Sequence, residues 1–214
     1  TGGSAARMAA DHVVQLARQR AADLLEANVD DVVIDRAAGR FHVAGTPTRA
    51  LGWAEVADGG EPLAAEVDFQ PEGSTFPFGA HIAVVELDTA TGRVTVRQLV
   101  AVDDAGTVMN PLLLEGQVHG GLASGIAQAL MEEIRYDDDG NPLTSNFADY
   151  AIISATELPS FEVHEMVTPT PRNPLGAKGI GESGTIGSTP AVQNAVVDAL
   201  APLGIRHLDM PFTP

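Results

Sequence analysis

Apolar positions along the chain switch between helical and strand spacing. Met8, His12, Val13, Leu16, Ala17, Leu24 and Leu25 fall near one stripe, which predicts a helix capped by Ser4 and running to about Asn28. Two short β-like runs follow, Val32-Val33-Ile34 and Phe41-His42-Val43, with Ala38-Gly39 between them as a hairpin turn. Leu51 to Val56 reads as a short helix, and Gly59-Gly60 with Pro62 breaks the chain. Leu63 to Phe69 is expected to be a strand, and Gln70 to Gly79 a loop.

Two clearer strands are expected at His81 to Leu87 and Val94 to Val102, paired antiparallel through the Asp88 to Arg93 turn. In the second, Val94, Val96, Val100 and Val102 are placed on one face by simple alternation. Asp103-Asp104-Ala105-Gly106 ends that strand as a turn, with a cation site as the alternative, and Asn110-Pro111 marks another break. Glu115 to about Glu133 has a helical stripe through Val118, Leu122, Ile126, Ala129 and Leu130. Asp137 to Pro142 reads as a solvated turn and Phe161 to Val167 as a strand. Pro169, Pro171 and Pro174 force an extended loop. Thr189-Pro190 reads as a cap and first position of a last helix that buries Val192, Ala195, Val196, Ala199 and Leu200. The class is α+β, with antiparallel β hairpins and sheets packed with several helices. Residues 1–214 are taken as one piece, with one candidate subdivision near residue 60.

Composition narrows the chemistry. Hydrophobic residues make up 44%, enough for a core, and the formal net charge of −17 argues against a nucleic-acid footprint, which needs a basic face. With no cysteine, this chain offers no iron–sulfur ligation and no thiol catalysis. No HExxH pattern or membrane-length apolar run occurs. The start at Thr1, without Met, suggests a fragment or a processed chain.

Two glycine-rich stretches stand out. In Gly116 to Gly125 four glycines share an expected helix, each costing roughly 1 kcal/mol against Ala. Either another element packs closely there, or a ligand approaches the backbone. Gln117 offers a donor and an acceptor, and His119 is read as a structural histidine before a ligand. In Gly176 to Gly187, five glycines can bring backbone N–H groups near a bulky polar ligand. Lys178 can supply positive charge for a phosphate. Glu182, on a loop expected to enter the interior, is the candidate general base, with an exposed loop Glu as the bland alternative. Gly179-x-Gly181-x-x-Gly184 matches a dinucleotide fingerprint in letters only, since no strand precedes it.

The same stretches carry a resemblance. Phe76-Pro77-Phe78-Gly79-Ala80-His81 to Glu86, Val102-Asp103-Asp104-Ala105-Gly106 with Asn110-Pro111, and Glu115-Gly116-Gln117-Val118-His119-Gly120-Gly121 resemble the large subunits of carbon monoxide dehydrogenase-type molybdenum hydroxylases. Asp149-Tyr150, Asn173 to Glu182 and His207-Leu208-Asp209-Met210-Pro211 continue it in order. The resemblance implies the C-terminal part of a molybdopterin-binding domain, within the xanthine oxidase family. It implies molybdopterin with molybdenum, as its cytosine dinucleotide, and no metal ligand from the protein. Gln117 would contact the cofactor near the metal, and Lys178, Gly179, Ile180 and Gly181 would line it. Glu182 would be the essential base in the oxidation of a small substrate (carbon monoxide, an aldehyde or an N-heterocycle) with oxygen derived from water. Electrons would leave through iron–sulfur clusters and FAD on partner chains. The expected assembly is a cytoplasmic dimer of heteromers, with the rest of the large subunit or a complementary chain, and with iron–sulfur and flavin subunits that can bring it to the inner face of the membrane. A cofactor-free assembly module, or a truncated piece inactive alone, is the alternative.

Overall fold

The structure, a computed structural model, describes residues 1–214 and divides them into two compact units. The first comprises Thr1–Gly73 with Arg172–Leu175. It holds helix α1 (Gly2–Leu25), strands β1 (Val32–Asp35), β2 (Arg40–Val43) and β3 (Thr46–Gly52), and helix α2 (Trp53–Asp58). The strands form an antiparallel sheet in the order β1-β2-β3. The expected hairpin is present. β3 escapes a sequence reading because it contains Pro47; at an edge, paired only with β2, that missing N–H is tolerated.

Helix α1 starts earlier than expected: Thr1 occupies the cap position, and Ser4 is buried within the helix. Its buried face is Ala17, Ala21, Ala22 and Leu25, while Leu16 and Leu24 are exposed. Small side chains let the helix lie close to Val32, Phe41 and Val56, with which they share a core. The Gly59-Gly60 break does not separate compact units. Arg20 donates to the carbonyls of Val56, Ala57 and Glu61 and so binds that turn to α1, and the division falls instead between Gly73 and Ser74. Leu63 to Phe69 is extended but is not a strand. Leu63, Ala65, Val67 and Phe69 alternate in burial, yet no strand pairs with them.

The second unit, Ser74–Pro171 with Gly176–Pro214, holds β4 (Phe78–Leu87), β5 (Val94–Asp104), helix α3 (Pro111–Leu130), β6 (Phe161–Met166) and helix α4 (Ser183–Leu200). β4 and β5 are antiparallel and β6 joins β5 in parallel. Val96, Leu99 and Ala101 of β5 share one core with Val118, Leu122 and Ile126 of α3 and Val192, Val196 and Leu200 of α4.

The expected single face of valines on β5 does not hold. The register steps from Val85↔Val96 to Val84↔Gln98, so β5 carries one extra residue at a bulge. A one-residue insertion reverses which face each later side chain takes. Beyond it Leu99 and Ala101 turn inward and Asp103 is buried, while Val100 and Val102 are only half-buried.

Both helices begin upstream of their expected starts. Asn110-Pro111 is the start of α3, with the Asn110 side chain accepting from Leu113 N at 3.2 Å and Pro111 in the first turn. Helix α4 begins at Ser183, so Pro190 lies inside it rather than at its first position. An interior proline costs about 3 kcal/mol. Packing on α3 offsets that cost, and glycines make the packing possible. A Cβ on Gly184 would sit 2.8 Å from the Val118 carbonyl oxygen, and one on Gly121 would sit 3.0 Å from the Gly184 Cα. A Cβ on Gly125 would run into the Ser188 hydroxyl. Thr185 donates to the Gly121 carbonyl at 3.0 Å and Thr189 to the Gly125 carbonyl at 3.2 Å.

Candidate active site

The site is assembled where the loop after β5, the first turns of α3 and the loop entering α4 meet. Thr107 N donates to the Gly176 carbonyl at 2.9 Å, and Lys178 N to the Ala105 carbonyl at 2.8 Å. The two loops therefore run alongside each other. Gly106 and Gly176 both adopt positive φ, 66° and 67°, and a Cβ on Gly106 would collide with the Gly176 carbonyl oxygen. This clasp delivers residues 178 to 182 to the face of α3.

There Gln117 Nε2 donates to the Gly181 carbonyl at 3.2 Å, joining two of the sequence-predicted residues. Glu182 is the next residue and occupies the cap position of α4. Its side chain is exposed in this chain, so the expected burial is not found; the loop runs over the rim of the fold and not through its interior. Gln117 also lies further into its helix than expected, because α3 starts at Pro111. Ile180 is half-buried against the core, while Gly179 and Gly181 are exposed. A cavity of about 280 Å³ adjoins them, lined by Ala105, Val108, Leu113, Gln117, Lys178 and Ile180 among others.

Apart from Gly176 and Gly187, the glycines of the two stretches fall into two groups. Gly121, Gly125 and Gly184 serve helix packing. Gly116, Gly120, Gly179 and Gly181 have nothing within 4 Å of where a Cβ would stand, and none needs a positive φ. Nothing in this chain explains their missing side chains.

Lys178 does not offer a free charge. Its Nζ lies 3.2 Å from Asp104 Oδ1, with the side chains 9% and 0% exposed, and 4.8 Å from the centre of the Phe78 ring. Burial on its own would raise the Asp104 carboxyl. The Thr168 hydroxyl, the backbone N–H groups of Gly106 and Thr168, and Lys178 together bring it down to about 2. The His119 ring lies edge-on to Phe161 at 5.5 Å.

Asp103 and Asp104 are not the expected turn: they are the last two residues of β5, and both are buried. Asp104 holds Lys178, and Asp103 accepts from Ser183 Oγ at 2.5 Å and pairs with His81 Nε2 at 3.1 Å. A sequence reading misses these roles, since the bulge sets which strand residue faces His81. The one visible signal is the two adjacent acids ending an apolar strand.

A family model described as molybdopterin cofactor-binding domain matches residues 1–159. The carbon monoxide dehydrogenase large chain of Hydrogenophaga pseudoflava is 41% identical over 99% of this chain and 27% of its own length. The 6-hydroxypseudooxynicotine dehydrogenase complex subunit gamma of Paenarthrobacter nicotinovorans is 38% identical over 99% of this chain and 28% of its own. The crystal structure of Cu,Mo-CO dehydrogenase in its carbon monoxide reduced state superposes with a TM-score of 0.91 at 39% identity, over 100% of this chain and 28% of that one. Quinoline 2-oxidoreductase from Pseudomonas putida 86 superposes with a TM-score of 0.84 at 38% identity, over 94% of this chain and 27% of that one. The chain thus spans about a quarter of the length of the relatives it matches. Matched over most of its residues by that model, the chain belongs to the molybdopterin cofactor-binding domain family, within the xanthine oxidase family of molybdenum proteins.

Proposed function

We propose that this chain forms one wall of the active site of a molybdenum hydroxylase and supplies its general base, Glu182. The observation that carries the reading is the Gln117–Gly181 hydrogen bond, which sets Glu182 beside an amide side chain and four glycines open to a ligand. The donor set suits a pterin. No group of three or more His, Asp or Glu side chains stands ready for a bare metal ion, whereas exposed backbone and one amide side chain can hold an organic cofactor. The molybdopterin, as its cytosine dinucleotide, supplies two-electron redox chemistry when bound.

Gln117 and the backbone of Gly179 and Gly181 hold the cofactor, with Ile180 and the stem of Lys178 closing the apolar side. Because Asp104 neutralises the Lys178 ammonium, Lys178 contributes by packing and by fixing its loop, not as a phosphate ligand. The Glu182 carboxylate takes up the proton released as oxygen from water is added to the substrate. Exposed in this chain, Glu182 acquires a water-poor setting from the rest of the large subunit and the bound cofactor. Substrates are small molecules of the carbon monoxide, aldehyde or N-heterocycle kind. Partners are the remaining large-subunit segments and iron–sulfur and FAD-bearing subunits, in a cytoplasmic dimer of heteromers. No helix of this chain is long and apolar enough to cross a membrane.

Glu182→Gln in the complete enzyme tests the base. Loss of a positioned base lowers turnover by roughly 10²–10⁴-fold, with molybdenum and pterin content unchanged. Undiminished turnover in that variant rejects the assignment, and loss of the cofactor points to a binding role.

A further inference from the structure

Glu182 sits between Gly181 and Ser183-Gly184, where adjacent side chains stiffen its backbone little. Two hydrogen bonds nevertheless bracket it. Gln117 holds the carbonyl before it, and on the other side Ser183 Oγ donates to Asp103 Oδ1 at 2.5 Å. The other oxygen of Asp103 pairs with His81 Nε2 at 3.1 Å. The His81 and Asp103 side chains are 2% and 4% exposed. Burial would raise the Asp103 carboxyl, but the hydrogen bonds from His81 and Ser183 and the attraction of His81 leave it below the ordinary range.

Two glycines make room for this pair. Gly79 stands directly opposite Asp103 in the β4–β5 ladder, and a Cβ there would meet the Asp103 carboxylate. A Cβ on Gly187 would enter the His81 ring. Two positions without side chains, one on a strand and one on a helix, thus converge on one buried His–Asp pair. The group is not a nucleophile triad. The serine hydroxyl is buried and donates to the carboxylate, not to the imidazole. What it does is tie the first residue of α4 to the end of β5.

We propose that Asp103, held by His81, is a positioning residue for Glu182 and acts through the Ser183 hydroxyl. The bond clamps the peptide between residues 182 and 183 and so sets the direction in which the Glu182 side chain leaves the backbone. This rests on the reading of Glu182 as the base. Displacing a reacting group by about 1 Å can lower a rate by about 10²-fold, so the clamp affects the catalytic rate more than binding.

The test compares parent, Ser183→Ala and Glu182→Gln forms of the complete molybdenum enzyme. Three readouts apply: molybdenum and pterin content, kcat and KM separately, and amide hydrogen exchange of the peptide covering residues 181–186. Expected for Ser183→Ala are parental cofactor content, a fall in kcat of about tenfold or more with KM held, and amide exchange about tenfold faster. Parental exchange in Ser183→Ala overturns the clamp, as does faster exchange with parental kcat. Undiminished turnover in Glu182→Gln overturns the base reading instead, and the exchange measurement then decides by itself whether the clamp exists.

Discussion

Gln117 on α3 and Gly181 on the loop before α4 are joined by one hydrogen bond of 3.2 Å across 64 residues of sequence. That bond joins the packing of Gly121 and Gly125 on α4 and the Thr185 and Thr189 hydrogen bonds in holding the two glycine-rich stretches together, and it holds the carbonyl just before Glu182. Gln117→Ala removes the donor while leaving α3 a good helix former. A neutral hydrogen bond contributes about 1 kcal/mol net, so kcat in the complete enzyme should fall by about fivefold, and bound pterin should fall with it. Steady-state kinetics with pterin fluorescence checks this, and parental values for both would remove Gln117 from the site.

The buried Lys178–Asp104 pair should be structural. Lys178→Met leaves the Asp104 carboxylate without its cation, a change that costs about 3–5 kcal/mol. The expected result is a clear drop in the thermal midpoint of the complete subunit, larger than any fall in turnover per cofactor bound. A variant of parental stability would show that the pair contributes little.

Asp104 also predicts a pH signature. Its carboxyl titrates at about 2 in place of the ordinary 3.8. A lowered value means the folded state favours the ionised form. The stabilisation is fully present above 3.8 and is lost as pH falls through about 2. Asp104→Asn should therefore be less stable than the parent at neutral pH, with the gap narrowing below about pH 4. Denaturation midpoints across that range check the sign; a gap that widens on acidification contradicts it.

The two groups of glycines should respond oppositely to alanine. Gly125→Ala crowds the Ser188 hydroxyl on α4 and should destabilise by about 1–3 kcal/mol. Gly120→Ala meets nothing in this chain and removes a poor helix former. On helix propensity it should stabilise the cofactor-free subunit by up to about 1 kcal/mol while lowering molybdenum and pterin content. Parental cofactor content in Gly120→Ala would show that this glycine faces no ligand.

Much of the framework was legible from local patterns. The β1–β2 and β4–β5 hairpins, the stripe of α3 and strand β6 follow from periodicity and turn residues, which act over a few neighbours. Errors arose where distant packing outweighed local preference. Pro190 reads as a helix start, yet Gly121 and Gly125 let α4 extend back to Ser183. Leu63 to Phe69 has strand-like alternation but no strand beside it.

The sequence by itself determined the family, the α+β class and the candidate pair Gln117 and Glu182, because motif order and hydrophobic spacing are properties of the linear chain. Only the tertiary structure decided that Glu182 lies on the rim, that Lys178 is spent on Asp104, and that Asp103 grips Ser183. Those outcomes hang on a one-residue bulge in β5 and on glycine contacts between α3 and α4, and both are set by which surfaces meet in space, not by which residues are neighbours along the chain.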